Sequence, residues 1–125
     1  MSSTFQQNTH PFPFFPFRLL HFFMLVVLTT TPTIEEAETL ARKIVKKKLA
    51  ACVQVLPVMK SFYFWENEVQ KETEHLLLIK TLHAKFEELE KFIKANHTYS
   101  VPEIVALQSS AVSENYLNWI KNYLD

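Results

Sequence analysis

The sequence predicts one domain of the α+β class, and three observations support this prediction. Apolar runs rich in β-branched residues, at 25–30 and 76–81, have the length and composition of buried strands. Between and after them, apolar residues recur at helical spacing over 34–49 and 86–96. The segments follow in the order β-α-β-β-α-β with one more helix at the C-terminus. This order indicates a ferredoxin-like antiparallel sheet with two crossover helices on one face.

The first half of the domain has clear start and stop signals. The run at 25–30 is expected to be a strand that Pro32 ends. Thr33 and Glu36 have the spacing of a capping box, so a helix is expected over 34–49. Residues 52–65 are expected to form one long strand that bends near its proline, because proline cannot donate to a sheet.

The second half repeats these patterns. Asn67 is expected to take a positive φ in a tight turn, because asparagine tolerates the left-handed region best after glycine. A long strand then runs from Val69 to Thr81. The helix over 86–96 is expected to place Asn96 where a C′ glycine is common. A short strand at 104–108 and a helix capped by Ser113 complete the domain.

Residues 1–23 differ in composition from the rest of the chain. They contain seven of the eleven Phe, three of the six Pro and no acidic residue. The apolar stretch at 12–28 is interrupted by Pro13, Pro16 and Arg18 and is too short for a membrane-spanning helix. We expect Met24 to be the natural start of a domain over 24–125. Residues 1–23 are then an N-terminal extension, disordered or a start-site artefact; the alternative is an exported or membrane-tethering N-terminus.

Composition excludes several classes of function. The chain of 125 residues has no glycine, so it has no P-loop, no dinucleotide-binding turn and no nucleophile elbow of the usual type. It has 13 basic and 13 acidic residues, and this balance gives no overall field for binding nucleic acid. One cysteine cannot form an internal disulfide, which suits a reducing compartment. We therefore expect a protein of a reducing compartment with neither a nucleic-acid nor a membrane partner.

Several residues could contribute to a binding site. Cys52 follows a helix directly and is either a buried small apolar residue or a metal-binding thiolate. His97 lies in a loop and is either structural or a ligand. Lys80 interrupts a buried strand and needs a carboxylate partner, for which Glu103 is one candidate. Glu72 and Glu74 alternate on one strand, so we expect both side chains to be solvated.

Exposed aromatic residues point to self-association. Phe62, Phe64 and Trp65 crowd the end of the predicted hairpin, and two helices cover only one face of the sheet. Exposed aromatic surface of this kind is typical of an interface, so a homo-oligomer is expected. The chain contains no Ser-His-Asp order and no paired catalytic carboxylates. An acylphosphatase-like enzyme is a weak alternative, because Arg42 is the only arginine after Met24 and lies on a helix.

A set of short motifs resembles one known family, and they occur in one order along the chain. They are Val26-Val27-Leu28-Thr29-Thr30-Thr31-Pro32, Lys48-Leu49-Ala50-Ala51-Cys52, Tyr63-Phe64-Trp65-Glu66, Ile79-Lys80-Thr81, Tyr99-x-x-Pro102-Glu103 and Tyr116-Leu117-x-Trp119-Ile120. Over 24–125 the chain thereby resembles the CutA family of divalent-cation tolerance proteins. The resemblance implies a ferredoxin-like fold, a PII-like homotrimer, a mostly cytoplasmic location in bacteria, a link to copper and other divalent metals, and no enzymatic activity.

The resemblance also implies candidate site residues. The family's copper-binding cysteine is replaced here by Thr29, and its His-His pair reads Asn96-His97. His97 and Cys52 are therefore the metal-ligand candidates, with Cu²⁺ or another divalent cation as a possible ligand and no cofactor required. A further set matches residues near the family's clefts between subunits, and its members are Trp65, Lys80, Tyr99, Pro102 and Glu103.

Two functions follow from this reading. The first is a non-enzymatic homotrimer of divalent-cation tolerance that binds metal weakly or with an altered ligand set. The second is a PII-like sensor or scaffold whose clefts between subunits bind a small metabolite or a partner protein.

Overall fold

The computed structural model describes residues 23–125, and the expectations for residues 1–22 lie outside this part. The strands are β1 (Met24–Thr31), β2 (Cys52–Val55), β3 (Met59–Trp65), β4 (Glu68–Leu82) and β5 (Val105–Gln108). The helices are α1 (Ile34–Lys46), α2 (Phe86–Asn96) and α3 (Glu114–Leu124), with a 3₁₀ turn at His83–Lys85 before α2. The predicted ferredoxin-like fold with an additional C-terminal helix is confirmed.

All strands belong to one antiparallel sheet. Its order is β2-β4-β1-β5, and β3 pairs with the first half of β4, beyond β2. The helices α1 and α2 cover one face, where the core residues are Leu25, Val27, Ala37, Leu40, Ile44, Leu77, Ile79, Leu89 and Ile93. The other face is covered by α3 at one end only, where Met24 and Leu82 pack against Ile120 and Leu124. The rest of that face is free to form a site.

The long strand predicted over 52–65 is wrong in one respect, because the structure has two strands there. Val55 pairs with Leu77, whereas Met59 pairs with Glu74. Three residues around Pro57 therefore lie opposite two residues of β4, which is a bulge of one residue. Since side chains alternate along a strand, the bulge puts Cys52 of β2 and the odd-numbered residues of β3 on the same face.

Two turns among the described residues use residues other than glycine in the left-handed region. Glu66 and Asn67 have φ of 52° and 64° and join β3 to β4, so the prediction for Asn67 is confirmed. Helix α1 ends earlier than predicted, at Lys46, because Lys48 takes φ of 58°. The N–H groups of Lys48 and Leu49 then donate to Val45 and Ile44, which is a Schellman motif without its usual glycine.

The other helix ends correct two details. Asn96 is the last residue of α2 and has no positive φ, so it does not take the place of a C′ glycine. Thr33 caps α1 as predicted, since its Oγ1 accepts from the Glu36 N–H at 3.1 Å. The Glu36 carboxylate does not complete the capping box but accepts from Thr98 Oγ1 at 2.9 Å. Within 23–125, no helix is long and apolar enough to cross a membrane.

Candidate functional site

A groove of about 730 Å³ opens between β3 and the loop that follows α2. It lies on the sheet face that α1 and α2 leave uncovered. Strands β1, β3 and β4 and the loop all contribute to its lining, which consists of Thr30, Ser61, Phe62, Tyr63, Trp65, Glu74, Thr98, Tyr99, Ser100, Val101 and Glu103. Its volume lies within the range of small-molecule sites.

Glu74 is the central polar residue of this groove. Its side chain is only 9% exposed, and its Oε2 accepts hydrogen bonds from Thr30 Oγ1 at 3.1 Å and Tyr99 Oη at 2.9 Å. The expectation that Glu74 is solvated is therefore wrong, whereas Glu72 is exposed as expected. The difference arises because the loop after α2 brings Tyr99 over Glu74, near the middle of β4.

His97 fixes this loop to the end of β1. Its Nδ1 accepts from the Tyr99 N–H at 2.9 Å. The proton of the neutral ring is then on Nε2, which donates to the Thr30 carbonyl oxygen at 2.6 Å. Both ring nitrogens are thus occupied by backbone groups, and the His97 and Tyr99 rings lie 4.8 Å apart. The geometry gives His97 a positioning role for Tyr99.

The groove has a negative electrostatic character. Burial raises the pKa of the Tyr99 hydroxyl well above its usual value, and the hydrogen bond to Glu74 and the negative charge of that carboxylate raise it further. Partial desolvation and the charges of Glu72 and Glu74 raise the pKa of Tyr63 in the same direction. Among the described residues that line the groove there is no lysine, arginine or histidine.

The structure places four of the five predicted cleft residues at the groove and the fifth, Lys80, elsewhere. Trp65, Tyr99 and Glu103 line the groove, and Pro102 lies between two lining residues. Lys80 lies outside the groove, on the part of the sheet that α3 covers, with its Nζ 5.7 Å from the centre of the Tyr116 ring. The ion pairs among residues 23–125 do not include Lys80, so the expected pairing with Glu103 is wrong. The aromatic ring takes the place of the carboxylate.

The two metal-ligand candidates are not brought together within one chain. Cys52 pairs with Lys80, which in turn pairs with Val26. His97 instead bonds to Thr30, four residues along β1, or about 13 Å at the rise of a strand. The described part of the chain contains no cluster of three or more His, Cys, Asp or Glu side chains able to hold a metal ion. A complete metal site therefore needs ligands from a second source.

Glu74 is the groove residue that the sequence does not identify as part of a site. Its alternation with Glu72 on one strand predicts, incorrectly, a solvated side chain. The useful signal was its spacing from Leu76 and Leu78, which share its face of β4 and are half-buried. Glu74 continues that half-buried row by one position toward the hairpin.

Comparison with known proteins connects the fold to a family. The sequence profile described as "CutA1 divalent ion tolerance protein" matches residues 25–123. The Arabidopsis thaliana protein "Protein CutA, chloroplastic" is 46% identical over 98 residues, which cover 78% of this chain and 54% of that protein. The Thermus thermophilus "Divalent-cation tolerance protein CutA" is 45% identical over 96 residues, covering 77% and 93%. The chain thus spans about half the length of the plant relative.

Solved structures give the same result. The crystal structure of CutA1 from Oryza sativa superposes with a TM-score of 0.81 at 42% identity, covering 82% of this chain and 94% of that one. The structure of the periplasmic divalent cation tolerance protein CutA from Archaeoglobus fulgidus gives 0.80 at 35% identity, covering 82% and 99%.

The expectation of a cytoplasmic location is wrong. It depended on the single cysteine and on the usual location of bacterial relatives. The plant relatives are named as chloroplastic and the archaeal structure as periplasmic, so membership of the family does not fix one compartment. The matched residues, the identities and the shared fold agree on the family itself: the chain belongs to the CutA1 family of divalent-ion tolerance proteins.

Proposed function

We propose that this protein is a non-enzymatic homotrimer that acts in divalent-cation tolerance and binds a divalent cation such as Cu²⁺ with ligands from more than one subunit. The observation that carries the proposal is membership of a family whose members are named for divalent-cation tolerance. The lack of a three-ligand cluster within residues 23–125 supports the requirement for more than one subunit.

Exposed apolar surface supports the assembly. On β3 and β4, Phe64 and Val69 are cross-strand partners on one face of the hairpin, and they are 69% and 68% exposed. The edge strand β5 also exposes Val105 and Leu107. Contiguous apolar surface of this kind on a soluble domain is typical of a protein interface, and contact with further copies would bury it.

The proposed ligands predict weak binding of the metal ion. His97 can coordinate a cation only if it gives up the hydrogen bond from the Tyr99 N–H or the bond to Thr30, since both ring nitrogens are in use. Cys52 is a half-buried free thiol with no such competing bond among the described residues. The carboxylate of Glu103 is exposed and could supply an oxygen ligand from a neighbouring subunit.

Titration calorimetry of Cu²⁺ and Zn²⁺ into the full chain tests the metal function. We expect binding that His97→Ala and Cys52→Ser each weaken, and that His75→Ala leaves unchanged. His75 is the matched control because it is also a half-buried histidine, but its ring bonds to the Leu56 carbonyl oxygen and to neither candidate. Equal binding in wild type and His97→Ala would remove His97 from the site, and no binding in any variant would contradict the metal function.

Light scattering after size exclusion tests the assembly. The proposal predicts three times the mass of the 14.7 kDa chain at micromolar concentration. A monomer under these conditions would contradict the proposed interface.

A second candidate is a PII-like sensor or scaffold that binds a small molecule in the groove. The specific observation in its favour is the groove itself, with its volume of about 730 Å³, its aromatic lining and the nearly buried Glu74. Retained trimer assembly together with no metal binding would favour this candidate over the first.

A further inference from the structure

We propose that the groove around Glu74 binds a small organic ammonium cation, with the ammonium group on the Glu74 carboxylate and the carbon skeleton against the aromatic side chains. This inference goes beyond metal tolerance and rests on the second candidate function, a small-molecule site in the groove. It names the chemical class of that ligand.

Charge selects a cation. The ionisable residues among those that line the groove are Glu74, Glu103, Tyr63 and Tyr99, so every formal charge they contribute is negative. A phosphate or carboxylate ligand would meet carboxylates with no basic residue to pair with, and two negative charges at contact distance repel each other. The raised pKa of Tyr99 has the same cause in part, namely the negative charge of Glu74.

Glu74 itself lacks a counter-ion. The ion pairs of the described residues, Glu87–Lys91 and Glu90–Lys94, both lie on α2 and do not involve it. A carboxylate that is nine-tenths buried and held only by neutral hydroxyl groups is costly unless a cation neutralises it. Both of its hydrogen bonds end on Oε2, which leaves Oε1 as an acceptor for the N–H of an ammonium group.

The aromatic lining selects an organic cation. Phe62, Tyr63, Trp65 and Tyr99 all line the groove, and aromatic rings attract cations through their quadrupole while also burying carbon skeletons. A bare transition-metal ion gains little from aromatic side chains and needs several ligand side chains. The described residues of one chain do not provide such a cluster. An amine with an apolar substituent uses both the carboxylate and the rings.

Calorimetry on the full chain, with three ligands that share a phenethyl skeleton and differ in charge, tests the charge requirement. The probes are phenethylammonium, the neutral 2-phenylethanol and the anionic 3-phenylpropanoate. We expect the ammonium compound to bind about tenfold or more tightly than the alcohol. Both can donate a hydrogen bond to the Glu74 carboxylate, but only the ammonium group carries the opposite charge. The carboxylate is expected not to bind.

Variants of one strand test the role of Glu74. Glu74→Gln keeps an oxygen that can accept from Thr30 and Tyr99 but removes the charge, and we expect it to weaken phenethylammonium binding about tenfold. Glu72→Gln makes the same change two residues away on an exposed side chain and is expected to have less than a twofold effect. Glu103→Gln, on the exposed rim, provides a second charge removal that does not depend on the stability of Glu74→Gln.

Several outcomes would overturn the inference. They are equal binding of the amine and the alcohol, equal loss in Glu72→Gln and Glu74→Gln, and no binding of the amine at millimolar concentration. A Cu²⁺ titration of the same preparation tests the metal proposal separately. If Cu²⁺ does not bind, the comparison of phenethylammonium with 2-phenylethanol still tests the amine site. Amine binding with no Cu²⁺ binding would support the inference and contradict the metal function.

Discussion

Two buried threonines on paired strands should respond in opposite ways to the same substitution. Thr29 of β1 and Thr81 of β4 are both fully buried, at 0% exposure. The Thr81 hydroxyl donates to the Leu49 carbonyl oxygen at 2.7 Å, whereas the Thr29 hydroxyl has no hydrogen-bond partner among residues 23–125. Replacing threonine by valine exchanges the hydroxyl group for a methyl group of similar size, so packing changes little and the hydrogen-bond term dominates.

The hydrogen-bond contribution sets the size of the stability change in each variant. An unpaired buried hydroxyl costs about 1–3 kcal/mol relative to an apolar group, so Thr29→Val should raise the free energy of unfolding by about that amount. Thr81→Val removes a made hydrogen bond and leaves the Leu49 carbonyl oxygen without that donor. It should lower the free energy of unfolding by about 1–3 kcal/mol.

Urea denaturation followed by far-UV circular dichroism measures both changes. All samples need one protein concentration, because assembly would make stability depend on it. The reasoning predicts shifts of the midpoint in opposite directions with an unchanged m-value. A loss of stability in Thr29→Val, or shifts of both variants in one direction, would refute it.

Three further predictions concern the loop, the hairpin turn and the first helix. Because the folded-state pKa of Tyr99 is raised above its unfolded value of about 10, the free energy of unfolding should fall as pH rises past 10, and urea titrations should show a smaller fall in Tyr99→Phe. Glu66→Asn should raise the free energy of unfolding by up to about 1 kcal/mol, since asparagine suits a positive φ; an unchanged Tm would contradict this. Thr33→Ala should cost about 1 kcal/mol through the lost cap on Glu36, and a neutral effect on Tm would oppose that role.

The sequence predicts the elements well where one local pattern decides them. The helix over 86–96 and the strand around 25–30 have clean periodicity, and the structure has α2 at Phe86–Asn96 and β1 at Met24–Thr31. Thr33 marks the start of α1 for the same local reason. The end of α1 was harder, since Lys48 adopts a conformation that usually belongs to glycine and carries no residue-type signal for it.

The candidate site depends on contacts between distant parts of the chain, and this limits its prediction. Trp65, Tyr99 and Glu103 were named from a resemblance and do line the groove. The burial of Glu74 is not predicted, because it depends on Tyr99, 25 residues away, and on Thr30, 44 residues away. No pattern within one strand encodes such contacts.

The side of the sheet on which β3 places its residues was also beyond local reasoning. Without the bulge at Pro57, the pairing of β2 would continue unchanged and Trp65 would lie on the opposite face from Glu74. A proline predicts a break in a strand but not the number of residues that the break absorbs. Only the pairing with β4 fixes that number.

A crystal structure of the full chain grown with Cu²⁺, with the metal located by anomalous scattering, tests the central claim most directly, because it shows the ligands and the subunit arrangement together. The account predicts a trimer with copper between subunits, held by side chains from at least two of them. Copper held by isolated side chains of one subunit, or a crystal without a trimer, would contradict it.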